Sequence, residues 1–215
     1  MKYIKSINEI WGPVLKRDLL GETREEDKFH NKKDLIEYLK SEIEKQGENV
    51  VIRNLDVSLV EDLSWLFHKI ADNVKTLDLS GWNTSNVKNM GWMFGGCSIL
   101  ESLDVTGWNT SNVKDMYDMF YICERLKSLD LSSWDVSNVK NMSGMFHYCS
   151  RLKSLDLSSW DVSGVDTMEG MFYYCSNLKS LDLSGWDTSK VEDMTRMFYN
   201  CPAPYEVVKN KIVKK

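Results

Sequence analysis

An α/β solenoid is the fold class this sequence predicts: a leucine-rich-repeat-like, right-handed stack of parallel β-strands and short helices, with an N-terminal helical segment. Three observations predict it. Trp82, Trp108, Trp134, Trp160 and Trp186 recur every 26 residues, as do Phe94, Phe120, Phe146, Phe172 and Phe198. A fixed period of that length is the signature of a repeat architecture. Each period also holds an L-x-x-L-x-L string, such as Leu126 to Leu131. Its alternation turns Leu129 and Leu131 inward and Ser128, Asp130 and Ser132 outward. Apolar residues then follow at Val139, Met142, Met145, Phe146 and Cys149, a spacing that covers one face of a short helix. The threes in that spacing also fit a tighter, partly 3₁₀ turn.

The organisation follows in order. Residues 1–48 read as an N-terminal helical segment, 49–72 as a cap repeat, 73–202 as five 26-residue repeats, and 203–215 as a C-terminal cap with a basic tail. A single unit cannot cover its own apolar face, so stacked units bury Leu, Trp, Val, Met, Phe and Cys in rows. In the cap repeat, Val50 and Ile52 stand for the strand leucines. Val60, Leu63, Leu66 and Phe67 stand for Val, Met, Met and Phe. One extra residue precedes Leu77. Before it, Leu35, Ile36, Leu39 and Ile43 mark a helix expected to cover the first unit. Ile7, Ile10, Trp11, Val14 and Leu15 mark an earlier amphipathic stretch, broken by Pro13, which is a candidate docking element.

Cys97, Cys123, Cys149, Cys175 and Cys201 are a repeat position rather than a disulfide framework. They are expected to be small, buried thiols. Clustered Cys and His at zinc-ligand spacing are absent, so neither a metal nor a cofactor is expected. His30, His68 and His147 belong to no recognisable triad. The expectation is therefore a protein that is not an enzyme. The formal charge of -5 argues against nucleic acid, which needs clustered Lys and Arg. No apolar stretch is long enough for a membrane span or a secretory signal. A cytoplasmic location is expected, with a virion or cell surface reached by another route as the alternative.

The string L-x-x-L-x-L, followed by Trp-Asp-Val-Ser-Asn-Val-Lys-Asn-Met-Ser-Gly-Met-Phe-x-x-Cys, resembles the 26-residue repeat of BspA-like bacterial surface proteins. The likeness is close over 73 to about 202 and loose over 49–72. It implies adhesion or protein binding through a repeat surface. The family's signal peptide, lipobox and wall-sorting tail are not seen. The opening MKYIKSINEIW is similar to the starts of some tailed-phage proteins, which implies an assembly role as an alternative.

Two faces could meet a partner. Asp78, Asp104, Asp130, Asp156 and Asp182 form a row on the strand side. It reads as a hydrogen-bonded structural ladder, or as an acidic strip by which a decoy would engage a basic host factor. On the other side Tyr121, His147, Tyr173 and Tyr199 form an outward row, with Tyr148 and Tyr174 beside it and Trp92 and Tyr117 extending it. Gathered aromatics are typical interface anchors. These eight residues are the candidate protein-binding site, and the same stripe could pair two copies of the chain.

Overall fold

The computed structural model describes residues 28–208 and 211–214. The amphipathic stretch from Ile7 to Leu15 lies outside them.

One α-helix is found among the described residues, α1, Lys32–Gln46. It starts where Asn31 accepts a hydrogen bond from the Asp34 N–H at 3.0 Å, the side-chain capping that satisfies an orphan donor. It ends at Gly47, whose φ of 73° suits a residue without Cβ. Its apolar side buries Leu35 and Leu39 completely. The Gln46 amide bonds both the N–H and the C=O of Val51. That blunts the outer edge of the first strand, which would otherwise be open to pairing.

The strands are short. β1 (Asn49–Val51), β2 (Thr76–Asp78) and β3 (Ser102–Asp104) form one parallel sheet. β4 (Ser154–Asp156) and β5 (Ser180–Asp182) form a second. Register places Leu77 opposite Leu103 and Leu155 opposite Leu181, one repeat apart. The extra residue of the cap repeat is absorbed between β1 and β2, where Val50 faces Leu77. β6 (Tyr205–Val208) pairs antiparallel with β7 (Lys211–Lys214). Tyr205, Val207 and Ile212 of this hairpin pack against the last unit.

The segments expected to be short helices are not helices. Within each unit the N–H groups of Met145, His147 and Cys149 donate to the carbonyls of Met142, Gly144 and Phe146, three residues back. The intervening N–H groups leave the unit altogether. Met142, Gly144, Phe146 and Tyr148 donate to Thr167, Glu169, Met171 and Tyr173 of the next unit at 2.8–3.0 Å. Two positions in each of these segments have positive φ, as Gly144 (63°) and Tyr148 (61°) do, each the third residue of a turn, as in type II geometry. An α-helix admits neither feature. Burial of Val139, Met142, Met145, Phe146 and Cys149 is nonetheless complete, because turns of three residues bring the same positions inward.

The core is a set of columns. Phe67, Phe94, Phe120, Phe146, Phe172 and Phe198 stack with centroids 5.2–5.6 Å apart. The Trp rings stack likewise from Trp82 to Trp134 and again from Trp160 to Trp186. Their indole N–H groups mostly donate to a carbonyl of the preceding unit, as Trp108 does to Leu79 at 2.9 Å. The Cys149 and Cys175 thiols donate to Phe120 and Phe146 carbonyls.

Candidate functional site

The corners of each unit are made by side chains that fold back on the chain. Asp130 Oδ1 accepts from the Ser132 N–H and hydroxyl at 3.0 and 2.7 Å. Asp156 does the same with Ser158. These bonds hold both carboxyls below the usual carboxylate range. At the first unit Asp78 is paired with Arg53. The aspartate row thus serves the turns that follow each strand, and its lone pairs are engaged locally.

The other side carries a groove of about 500 Å³. Its floor is one column of the repeat, Trp92, Asp118, Gly144, Gly170 and Arg196. All five have positive φ, from 50° to 63°. The two glycines put no side chain of their own on the floor between the acid and the arginine. One wall is the column Tyr121, His147 and Tyr173, and the other is Tyr117, Ser143 and Glu169.

Of the eight aromatics singled out from the sequence, Trp92, Tyr117, Tyr121, His147, Tyr148 and Tyr173 line this groove together. Tyr174 and Tyr199 continue the array beyond it, with Tyr173 and Tyr199 stacked at 5.0 Å and Tyr148 and Tyr174 also at 5.0 Å. The rings are not a simple outward row. Tyr117 and Tyr199 are exposed, at 42% and 54%, whereas the other six are half-buried against one another. Tyr148 and Tyr174 hold φ near 60°, a conformation that a bulky residue rarely adopts and that costs on the order of 1 kcal/mol. Such strain persists where the surrounding structure enforces it, here through the bonds from Tyr148 and Tyr174 N–H to Tyr173 and Tyr199 carbonyls.

Sequence reasoning missed several members. Trp65 stacks on Trp92 at 4.3 Å and is 47% exposed. Its 27-residue offset from Trp92, produced by the extra residue of the cap repeat, hid it from the 26-residue count. Asp118, Glu169 and Arg196 were also missed. The signal was the departure itself, since the floor column reads Trp, Asp, Gly, Gly, Arg directly before the unchanging column of Met93, Met119, Met145, Met171 and Met197.

Asp118 is 5% exposed. The Tyr117 hydroxyl and the Trp92 indole act on its carboxylate and favour the charged form. Burial is the main influence on it and raises its carboxyl to about 6, with the charge of Glu169 adding to the rise. A Cβ on Gly144 would lie 1.9 Å from Asp118 Oδ1, so the carboxylate occupies space that only glycine leaves. His147 is pushed below its usual value by burial, and its Nε2 has no hydrogen-bond partner. The Cys123, Cys149 and Cys175 thiols are pushed well up by burial, and Cys97 to about 12. None is thiolate at neutral pH, and the thiolate is the nucleophile. Among the described residues no group of three or more His, Cys, Asp or Glu is placed to hold a metal ion. No helix among them is long and apolar enough to cross a membrane.

One protein family matches the chain twice in tandem, over residues 36–129 and 125–210, and is described as "Mycoplasma protein of unknown function, DUF285". No curated protein matches it.

Proposed function

The chain belongs to that DUF285 repeat family, and on this premise we propose that it is a non-enzymatic recognition module. It is a leucine-rich-repeat-like solenoid of the BspA-like kind that takes a protein partner on its aromatic groove. The observation that carries this reading is the continuous array of rings from Trp65 to Tyr199, kept partly open and built in part from strained tyrosines. A column needed only for packing would be better served by glycine at those positions, as at Gly96, two units before Tyr148. Half-exposed, mutually stacked rings give a partner a large contact area that is already ordered, which lowers the entropy lost on binding. The buried, protonated thiols and the locally engaged aspartates offer no competing chemistry.

Affinity capture from host cells with wild type beside Tyr173→Ser/Tyr199→Ser tests this. A partner held by wild type and lost by a variant of nearly unchanged melting temperature supports it. Equal capture by both proteins removes the aromatic face from recognition.

A further inference from the structure

We propose that the groove receives the ε-ammonium of a lysine side chain of the partner protein, seated against the Asp118 carboxylate and the faces of the rings around it; this deepens, and rests on, the recognition reading above. Asp118 is almost fully buried, yet the groups that favour the charge of its carboxylate are the neutral Tyr117 hydroxyl and Trp92 indole. No ion pair among the described residues involves Asp118 or Glu169. A buried carboxylate without a counter-charge is costly, and buried charges in proteins are ordinarily paired. The missing partner is therefore a cation from outside.

The walls suit one. Trp92, Tyr117, Tyr121 and Tyr173 surround the space, and the negative faces of aromatic rings attract cations. Glu169 lies close enough for its charge to act on Asp118 and gives the ammonium a second carboxylate. His147 is driven neutral by burial and does not repel it. Arg196 closes the far end of the groove, which directs an incoming positive charge towards the Asp118 end.

Lysine fits better than arginine. Asp118 Oδ1 leans over Gly144, 1.9 Å from where a Cβ would lie, which leaves less of the carboxylate edge open to a planar guanidinium that must meet it edge to edge. A compact ammonium needs one free lone pair on each of two carboxylates. The groove, at about 500 Å³, falls in the range of sites that enclose a small ligand.

The test is an NMR titration of the full chain with Nα-acetyl-lysine N-methylamide, read at the Trp92 indole and the Gly144 and Gly170 amides. Saturable shifts are expected, with affinity on the order of millimolar. Asp118→Asn should weaken binding about tenfold, and Glu169→Gln, an exposed position that cannot disturb folding, about threefold. Blocked norleucine should leave the signals in place. Equal binding of norleucine, unchanged affinity in both variants, or no shift with lysine at about 50 mM overturns the proposal. The two readings fail separately. Lysine binding by a chain whose partner survives Tyr173→Ser/Tyr199→Ser would sink recognition through the rings and leave the ammonium site standing. Partner loss in that variant without lysine binding would do the reverse.

Discussion

The two sides of each unit hold the stack together unequally. On the strand side the ladder is interrupted in the middle. Ser128–Asp130 forms no strand between β3 and β4. Leu79 donates to Asp104 and Leu157 to Asp182, but no corresponding bond joins Val105 to Asp130 or Leu131 to Asp156. The Trp134 indole N–H is buried without an acceptor, and no ring contact joins Trp134 to Trp160 among the described residues. On the turn side the ladder has no such gap between the full repeats. Backbone bridges run unbroken from Asp62 through Asn89, Asp115, Asn141 and Thr167 to Asp193, and every junction between the full repeats, from Met90 to Tyr199, makes the same four inter-unit bonds. The difference teaches that leucine strings identify the repeat, while the turns between Met, Phe and Cys carry its cohesion. The candidate groove sits on the cohesive side, where its walls are fixed.

Substitution can break or sharpen this contrast. The largest effect is expected for Phe146→Ala, which opens a hole in the middle of the Phe column and should cost about 3–5 kcal/mol in urea unfolding. Leu129→Ala, on the interrupted side, should cost nearer 2 kcal/mol. Equal losses would erase the distinction between the sides.

A smaller effect is expected at Asp118. Its carboxyl is raised in the folded chain, so the folded state keeps a proton that the unfolded state has released. Between 3.8, the ordinary carboxyl value, and about 6, this residue therefore lowers stability as pH rises. Asp118→Asn keeps an oxygen facing the Tyr117 hydroxyl and Trp92 indole and removes the charge. The variant should gain about 1–3 kcal/mol over wild type at neutral pH and nothing below the window. A constant difference across pH would assign the effect to packing.

The smallest concerns the strand side itself. Trp108→Phe loses a hydrogen bond to Leu79, whereas Trp134→Phe loses none. Trp108→Phe should be the more destabilising by about 1 kcal/mol. If Trp134→Phe costs as much, the strand ladder closes there in solution.

The burial pattern was legible because a period reports which positions face inward. The Leu, Trp, Val, Met, Phe and Cys columns are where the spacing puts them. The destination of the backbone hydrogen bonds was not legible. A helix and a chain of turns both bring residues inward at steps of three and four, and burial alone does not say whether Gly144 N–H bonds within its unit or beyond it. The same ambiguity blurred the site. Tyr121, His147 and Tyr173 could be assigned to one column by counting. The groove beneath them depends on the left-handed backbone at Gly144 and Gly170 and on the carboxylate that leans into the space.

The turn-side junctions also bear on how such a chain changes over time. Between the full repeats each joins its neighbours by the same bonds at the same offset, so duplication or loss of one whole repeat would lengthen or shorten the molecule without altering the joints that remain. The floor column behaves as a short text in which each unit contributes one letter. Exchange of units between copies of the gene would rewrite Trp, Asp, Gly, Gly, Arg into another order, and so another groove, on an unchanged frame.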